Sequence, residues 1–207
     1  MPASARLRPR DWLRPLRYVP LLLVLSGIVA IAQLFVVRSN DMAPALQEGD
    51  LALVLPMPEW LFGPLRRGDL VLVPPGHLSE ATLRRVVALP GEVVEIVAGQ
   101  ILIEGLPLEG KRTGQVIYTI GGMPRRFHRR TETLGRGDAA VRYEVIEQEA
   151  WHLPDRPGIQ LGPDQYYVLA DRRTGARDSR DYGPLPGSAL RRVHVVSFIP
   201  GYALLLK

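Results

Sequence analysis

The chain of 207 residues contains no cysteine. Disulfides, thiol catalysis and cysteine-built zinc sites are excluded, while the compartment stays open. Lysine is almost as scarce: Lys111 and Lys207 are the only two. A reaction that relies on a lysine base has just these candidates, and nearly all the positive charge is arginine. The four histidines, His77, His128, His152 and His194, are spread along the chain without triad spacing, and each reads as structural or solvated. One stretch alone is long and apolar enough to matter to a bilayer; the apolar tail at 201–207 is far too short to span one.

What is present suffices for a packed core. Hydrophobic residues make up 46%, enough for one large domain or two small ones. The net charge is +5, and the arginines gather beside the long apolar run and at 125–130. That distribution favours a membrane partner and argues against nucleic acid. With 19 prolines, 20 glycines and short strand-like segments, the body reads as all-β and rich in turns. Nothing in it calls for a cofactor or a metal ion.

Residues 1–17 carry Arg6, Arg8, Arg10, Arg14 and Arg17 against a single acid, Asp11. Residues 18–37 follow without a charge, about the length that spans a hydrocarbon core as a helix. The flanking arginines predict a cytoplasmic N-terminus, a single-pass anchor and a body on the extracytoplasmic side of the cell membrane. A cleaved signal peptide is the alternative, with Ala30-Ile31-Ala32 as its site. Cutting there would leave an apolar segment at the new terminus. The run is apolar on every face, unlike an amphipathic soluble helix.

Residues 51–55 and 70–73 read as buried strands. Between them lie Trp60, Leu61 and Phe62, expected to pack aromatics into the core; the alternative is a tip that dips into a membrane interface. Arg67-Gly68-Asp69 reads as a turn. A strand through Arg84 ends at Pro90-Gly91, and 93–97 with 100–104 form a hairpin about Ala98-Gly99. The stretch 105–165 is more polar, with strands expected at 115–120 and 141–146. Arg125 to Arg130 is expected as a solvated loop, or else a contact for anionic headgroups or an acidic partner. Strands at 166–170 and 193–199 complete the body.

Four motifs occur in a telling order: Ser39-Asn40-Asp41-Met42-Ala43-Pro44, Arg67-Gly68-Asp69 before a strand, Arg84-Arg85-Val86-Val87-Ala88-Leu89-Pro90-Gly91-Glu92, and the stretch from Asp171 to Gly183. After an apolar anchor, this order resembles the type I signal peptidases, membrane-anchored Ser/Lys proteases that trim secretory signal peptides. The resemblance implies a mainly β, signal peptidase-type body with a single N-terminal transmembrane helix and an inserted smaller β domain. The layout would be a basic N-terminus at 1–17, the anchor at 18–37, the core at 38–104 and 166–207, and a variable insert at 105–165. The family's base box reads Lys-Arg-x-x-Gly-Leu-Pro-Gly-Asp, and its last box Gly-Asp-Asn-Arg-x-x-Ser-x-Asp-Ser-Arg-x-x-Gly. Asp171, Arg173, Asp178, Ser179, Arg180 and Gly183 match the latter, and Met42 and Pro44 belong to the framework of the first motif.

The reactive positions depart from the pattern. The family's nucleophilic serine falls on Asp41, its lysine base on Arg84, and the serine that orients that lysine on Ala176. The base-box glycine falls on Ala88 and the opening glycine of the last box on Ala170. An oxyanion-hole hydroxyl falls on Ser39. A Ser/Lys dyad needs a hydroxyl and a lysine kept neutral by burial. Asp41 has no hydroxyl, and a guanidinium does not act as a base. The resemblance therefore implies a retained scaffold without proteolysis, with an Asp41–Arg84 ion pair in the centre. Ser39, on an extended strand, would lie roughly 7 Å from Asp41, too far to replace it. A carboxylate pair of Asp41 with Asp171 or Asp178 is the other conceivable chemistry. The implied partners are the membrane and either signal peptides of preproteins or an active signal peptidase. An active peptidase with an altered dyad and a membrane-tethered β interaction module are the alternatives.

Overall fold

Short apolar segments cut by glycine and proline turns build three sheets. The computed structural model describes residues 18–22, 26, 33–76, 80–135, 137, 140–148 and 153–199. The largest sheet has seven strands in the spatial order β1 (Gln33–Val36), β2 (Leu51–Pro56), β14 (Arg191–Ile199), β3 (Leu70–Val73), β4 (Thr82–Ala88), β12 (Gln165–Leu169) and β13 (Leu185–Pro186). A four-stranded sheet has the order β11 (Arg156–Gln160), β5 (Val93–Val97), β6 (Gln100–Ile103) and β7 (Leu106–Pro107). A three-stranded sheet holds β10 (Val141–Glu147), β9 (Met123–Leu134) and β8 (Gly110–Ile120). Among the described residues after β1 there are four single turns: η1 (Asn40–Met42), α1 (Glu59–Phe62), α2 (Ser179–Tyr182) and η2 (Gly187–Ala189). The chain is mainly β, as its composition suggests.

Strand β4 decides where the site lies. Its Leu83, Val86 and Val87 belong to three different apolar clusters, so the strand is covered on both faces. Each such fully buried aliphatic side chain contributes about 1.5–3 kcal/mol. Arg84 and Arg85, lying between them on the same strand, are buried by the same packing. A buried guanidinium is tolerated only when its donors and its charge are met. The residues that meet them define the centre of the molecule.

Three local expectations are corrected. The end of the long apolar run is not helical: Gln33–Val36 form the edge strand β1. The sheet takes this end because Phe35 and Val37 pack on the Met42, Leu46 and Val54 cluster, and the Val37 N–H donates to the Asp50 carbonyl at 2.9 Å. Residues 19–22 are helical, and among the described residues no helix is long and apolar enough to cross a membrane. Residues 23–25 and 27–32 of the expected anchor, the basic segment 1–17, and His77 and His152 lie outside the described residues.

The second correction concerns Trp60, Leu61 and Phe62, which are 82%, 60% and 40% exposed on α1 instead of packing inward. Pro58 and the left-handed Gly63 close the segment into one helical turn. The buried Arg192 ties the end of this turn to the sheet by donating to the carbonyls of Phe62 and Pro64.

The third concerns Arg125 to Arg130, which are not a loop but lie within β9, paired residue by residue with β8. Gly121 and Gly122, both at positive φ, close that hairpin in two residues. Phe127 and His128 point inward, and Arg129 and Arg130 find Glu144 and Glu147 at 3.8 and 3.6 Å. The Ala98-Gly99 hairpin between β5 and β6 forms as expected. Arg67-Gly68-Asp69 is indeed a turn: Gly68 has φ +84, and a β-carbon there would lie 2.6 Å from Val141.

Candidate functional site

The loop that carries Asp41 is pinned from both sides. Asn40 is buried, accepts from the Glu48 N–H at 2.9 Å and donates to the Thr119 carbonyl at 3.2 Å. Met42 and Leu46 anchor the loop in the core beneath, and Pro44 follows through a cis peptide. The chain at Asp41 is a 3₁₀ turn, not an extended strand. The roughly 7 Å spacing of an extended strand therefore does not apply to Ser39. Its hydroxyl caps the turn and accepts the Asp41 N–H at 3.4 Å. The Ser39 hydroxyl is thus turned to the Asp41 backbone within the cap.

The expected Asp41–Arg84 ion pair is present. Arg84 Nη2 donates to Asp41 Oδ2 at 2.9 Å. The same guanidinium forks onto the Arg177 carbonyl, from Nε at 3.0 Å and Nη2 at 2.7 Å, and gives Nη1 to the Leu83 carbonyl at 2.6 Å. Arg84 is 1% exposed, so these bonds, not water, satisfy it. Ala176 is buried immediately before that receiving carbonyl. The other Asp41 oxygen is bound by Arg172, whose Nη1 also donates to the Thr174 carbonyl. Arg172 was missed in the sequence reading. The quoted box has asparagine at that place, and this departure was the available signal.

A second charged group lies behind the first. Asp171 is fully buried and takes Arg85 in a two-point contact, 2.8 Å from Nε and 2.6 Å from Nη2. Arg85 lies 4.5 Å over the Tyr143 ring. Glu132, also fully buried, binds Arg173, Arg130 and the Tyr143 hydroxyl. Burial pushes the Glu132 carboxyl up, but Arg173 and Arg130 outweigh it and hold it below the usual carboxylate range. Burial pushes the Tyr143 hydroxyl well above its ordinary value, so it stays a donor to Glu132.

The last box is structural. Asp178 caps α2 and binds Arg180, while Ser179 accepts the Val168 N–H at 3.0 Å. Each of Asp41, Asp171 and Asp178 is thus engaged by its own arginines, and among the described residues no hydrogen bond joins Asp41 to either of the others. A proton-sharing carboxylate pair is not formed. His128 is buried in the β8–β9 hairpin region and His194 lies exposed on β14, so neither joins Asp41. No group of three His, Asp or Glu among the described residues is placed to hold a metal ion.

A cavity of about 680 Å³ is bordered by Asp41 and Arg84. One wall is β1 with the chain that follows it, from Leu34 to Asp41; the other runs from Glu80 to Arg84. The two walls are matched along their length. Arg38 meets Glu80 at 3.3 Å, and three residues further along one wall and four along the other Asp41 meets Arg84. β1 is an edge strand, and β12 pairs β4 only from Arg85 onward. Both walls therefore present backbone to the cavity without a strand partner on that side.

A mainly β body with a cleft bordered by the edge strand β1, by the start of β4 and by buried charges is the class these features define. Residues 10–198 match the model of the family described as signal peptidase, peptidase S26, and the chain belongs to that family. It is similar to "Signal peptidase I" of Leptolyngbya laminosa, 26% identical over 183 residues that cover 82% of this chain and 70% of that protein. It is also similar to "Probable signal peptidase I-1" of Synechocystis sp., 25% identical over 86% of this chain and 79% of that one. Among solved structures, a crystal structure of a signal peptidase I from Enterococcus faecalis V583 matches 63% of this chain and 96% of its own length, at 18% identity and a TM-score of 0.39.

Proposed function

We propose that this protein is a signal peptidase-family member that binds extended peptides in its cleft without cleaving them. Asp41 and Arg84 stand at the family's nucleophile and base positions, and Ala176 at the position that orients the base. The observation that carries this reading is the ion pair itself. A buried arginine with four hydrogen bonds, one of them to Asp41, fills the place where a proton must move. Asp41 offers no hydroxyl, and a guanidinium retains its proton at ordinary pH. Two unpaired strand edges along one cavity suit a peptide added as a further strand.

The membrane is the proposed location. The exposed Trp60, Leu61 and Phe62 on α1 support it, since aromatic and aliphatic side chains displayed together favour the bilayer interface. The bound peptides are proposed to be signal peptides of secreted preproteins, presented at that surface.

The test is a cleavage assay with the full chain in detergent micelles and a preprotein bearing an A-x-A site. The native chain is expected to give no product, whereas Asp41→Ser with Arg84→Lys and Ala176→Ser gives cleavage. Product from the native chain would overturn the reading, as would a folded triple variant that binds no peptide.

A further inference from the structure

The hairpin of β8 and β9 leaves one strand edge without a partner. In the sheet order β10-β9-β8, β8 is the outer strand, and most of its residues are exposed. The two-residue turn Gly121-Gly122 makes Ile120 and Met123 the closing hydrogen-bonded pair. Along an antiparallel ladder such pairs alternate with pairs whose N–H and C=O groups point away. Thr119, Ile117 and Gln115 therefore turn their backbone groups outward. Two observations agree: Thr119 stands opposite Pro124, which has no N–H to give, and its carbonyl accepts from Asn40 Nδ2 at 3.2 Å. Among the described residues, no hydrogen bond meets the outward groups of Ile117 and Gln115.

An open edge is commonly blunted by a charge, a proline or a bulge. Residues 115–120 contain none of these; the register shift lies earlier, between Arg112 and Gly114. Val116, Tyr118 and Ile120 pack with Phe127 on one face, while Ile117 is 63% exposed on the other. Arg126, directly opposite Ile117 on β9, shares that open face. Lys111, Arg125 and Arg126 are exposed, and among the described residues none of them has an ion pair.

A second copy of the chain fits this edge poorly. Antiparallel self-pairing centred on Ile117 sets Gln115 against Thr119 of the other copy, where Asn40 already sits. Centring on Gln115 sets Ile117 against Thr113, inside the register shift. Both arrangements add cations to cations. A short strand from a different chain meets neither obstacle. Strands lie about 4.8 Å apart, so an added one lies about 10 Å from β9, a gap that a glutamate and Arg126 span between them. Glu48, the acid at the Thr119 end, is already held by Asn40.

We propose that the outer edge of β8, at Gln115 and Ile117, takes up an extended acidic peptide as a fourth strand of this sheet. The outward N–H and C=O groups supply the backbone bonds, Ile117 the apolar contact, and Arg126 the preference for an acidic side chain. None of these residues lines the cavity beside Asp41, and the proposal does not rest on the reading of that cavity.

The probe is a fluorescein-labelled hexapeptide of valine and threonine with a glutamate at each end, its termini blocked. One companion carries lysine in place of glutamate, and another carries N-methyl groups on the four inner residues. Binding to the full chain in neutral detergent is read by anisotropy, and the segment bound by amide hydrogen exchange. The glutamate peptide is expected to slow exchange in residues 113–120 and to bind about tenfold more tightly than either companion. Ile117→Pro removes an outward N–H and leaves the ladder to β9 intact, and should weaken binding about tenfold. Arg126→Gln should narrow the gap between the glutamate and lysine peptides. No binding to a chain that melts cooperatively overturns the proposal. Equal binding of the N-methylated peptide overturns strand addition, and equal binding of the lysine peptide overturns the acidic preference. Protection at β1 in place of 113–120 overturns the β8 site and leaves the cleft reading standing. A dimer in which 113–120 is protected without peptide makes a second copy the occupant and overturns the assignment.

Discussion

Asp171 and Asp41 both face arginines, but their surroundings differ. Asp171 has a fully buried side chain and belongs, with Arg85, Arg173, Glu132 and Tyr143, to a group that joins the last box to β9 and β10. The Asp41 side chain is 17% exposed, and with Arg84 and Arg172 it opens onto a cavity of about 680 Å³. The two acids of the inner group have no exposed surface, whereas Asp41 keeps some. Charges sealed from water must be matched within the protein, and the loss of one partner strands the rest. Charges at a cavity can recruit water in its place. The inner group is thus a fastening between sheets, whereas the outer one is a local arrangement that can change without loss of the fold.

The sharpest way to break this comparison is to remove one acid from each group. Glu132→Ala leaves Arg173 and the Tyr143 hydroxyl buried without their partner, and should cost about 3–5 kcal/mol in a urea denaturation series. Asp41→Ala leaves Arg84 with its carbonyl acceptors and admits water, and should cost about 1–2 kcal/mol in the same measurement. Equal costs would show that the cavity does not solvate the outer group.

Acidity sharpens the contrast further. The Glu132 carboxyl lies lower in the folded chain than in the unfolded one. Its contribution is therefore complete above the ordinary carboxylate value, about 4.3, and is lost as the pH falls through the lower folded value. The midpoint of thermal melting should drop on acidification through that window. Glu132→Gln should start lower at neutral pH and drop less. A parallel fall in both proteins would remove Glu132 from the account.

The smallest effect belongs to a residue outside both groups. Trp60→Ser should change stability by no more than about 0.5 kcal/mol, because the side chain is already in solvent. Binding of the chain to anionic lipid vesicles, followed by flotation, should nonetheless weaken. Unchanged flotation would detach α1 from the proposed membrane contact.

Much of the fold was legible along the chain. The segment Leu70–Val73 is bounded as its apolar run indicates, and Ala98-Gly99 marks the β5–β6 turn. The Asp41–Arg84 pair was legible too, because a buried arginine requires an acid and the two boxes supply complementary departures. The errors share a cause. Arg125 to Arg130 read as solvated because they are charged, yet β8 claims them as a paired strand across Gly121-Gly122. Trp60 and Phe62 read as buried because they are aromatic, yet their turn is exposed and is held through the Phe62 carbonyl by Arg192, 130 residues away in sequence. Composition reports what a side chain prefers, and cannot report what already fills the place.

The sequence by itself determined the β content, the order of the boxes, and that an acid, Asp41, stands in the first box and an arginine, Arg84, in the third. Those follow from residue identity and spacing alone. The tertiary structure decided that Arg172 shares Asp41, that Ser39 caps the turn instead of standing open, that the end of the apolar run becomes strand β1, and that this strand and Arg84 border one cavity. Each of these depends on which donors and acceptors distant segments bring within about 3 Å of one another, a distance scale on which hydrogen bonding is decided and which spacing along the chain does not encode.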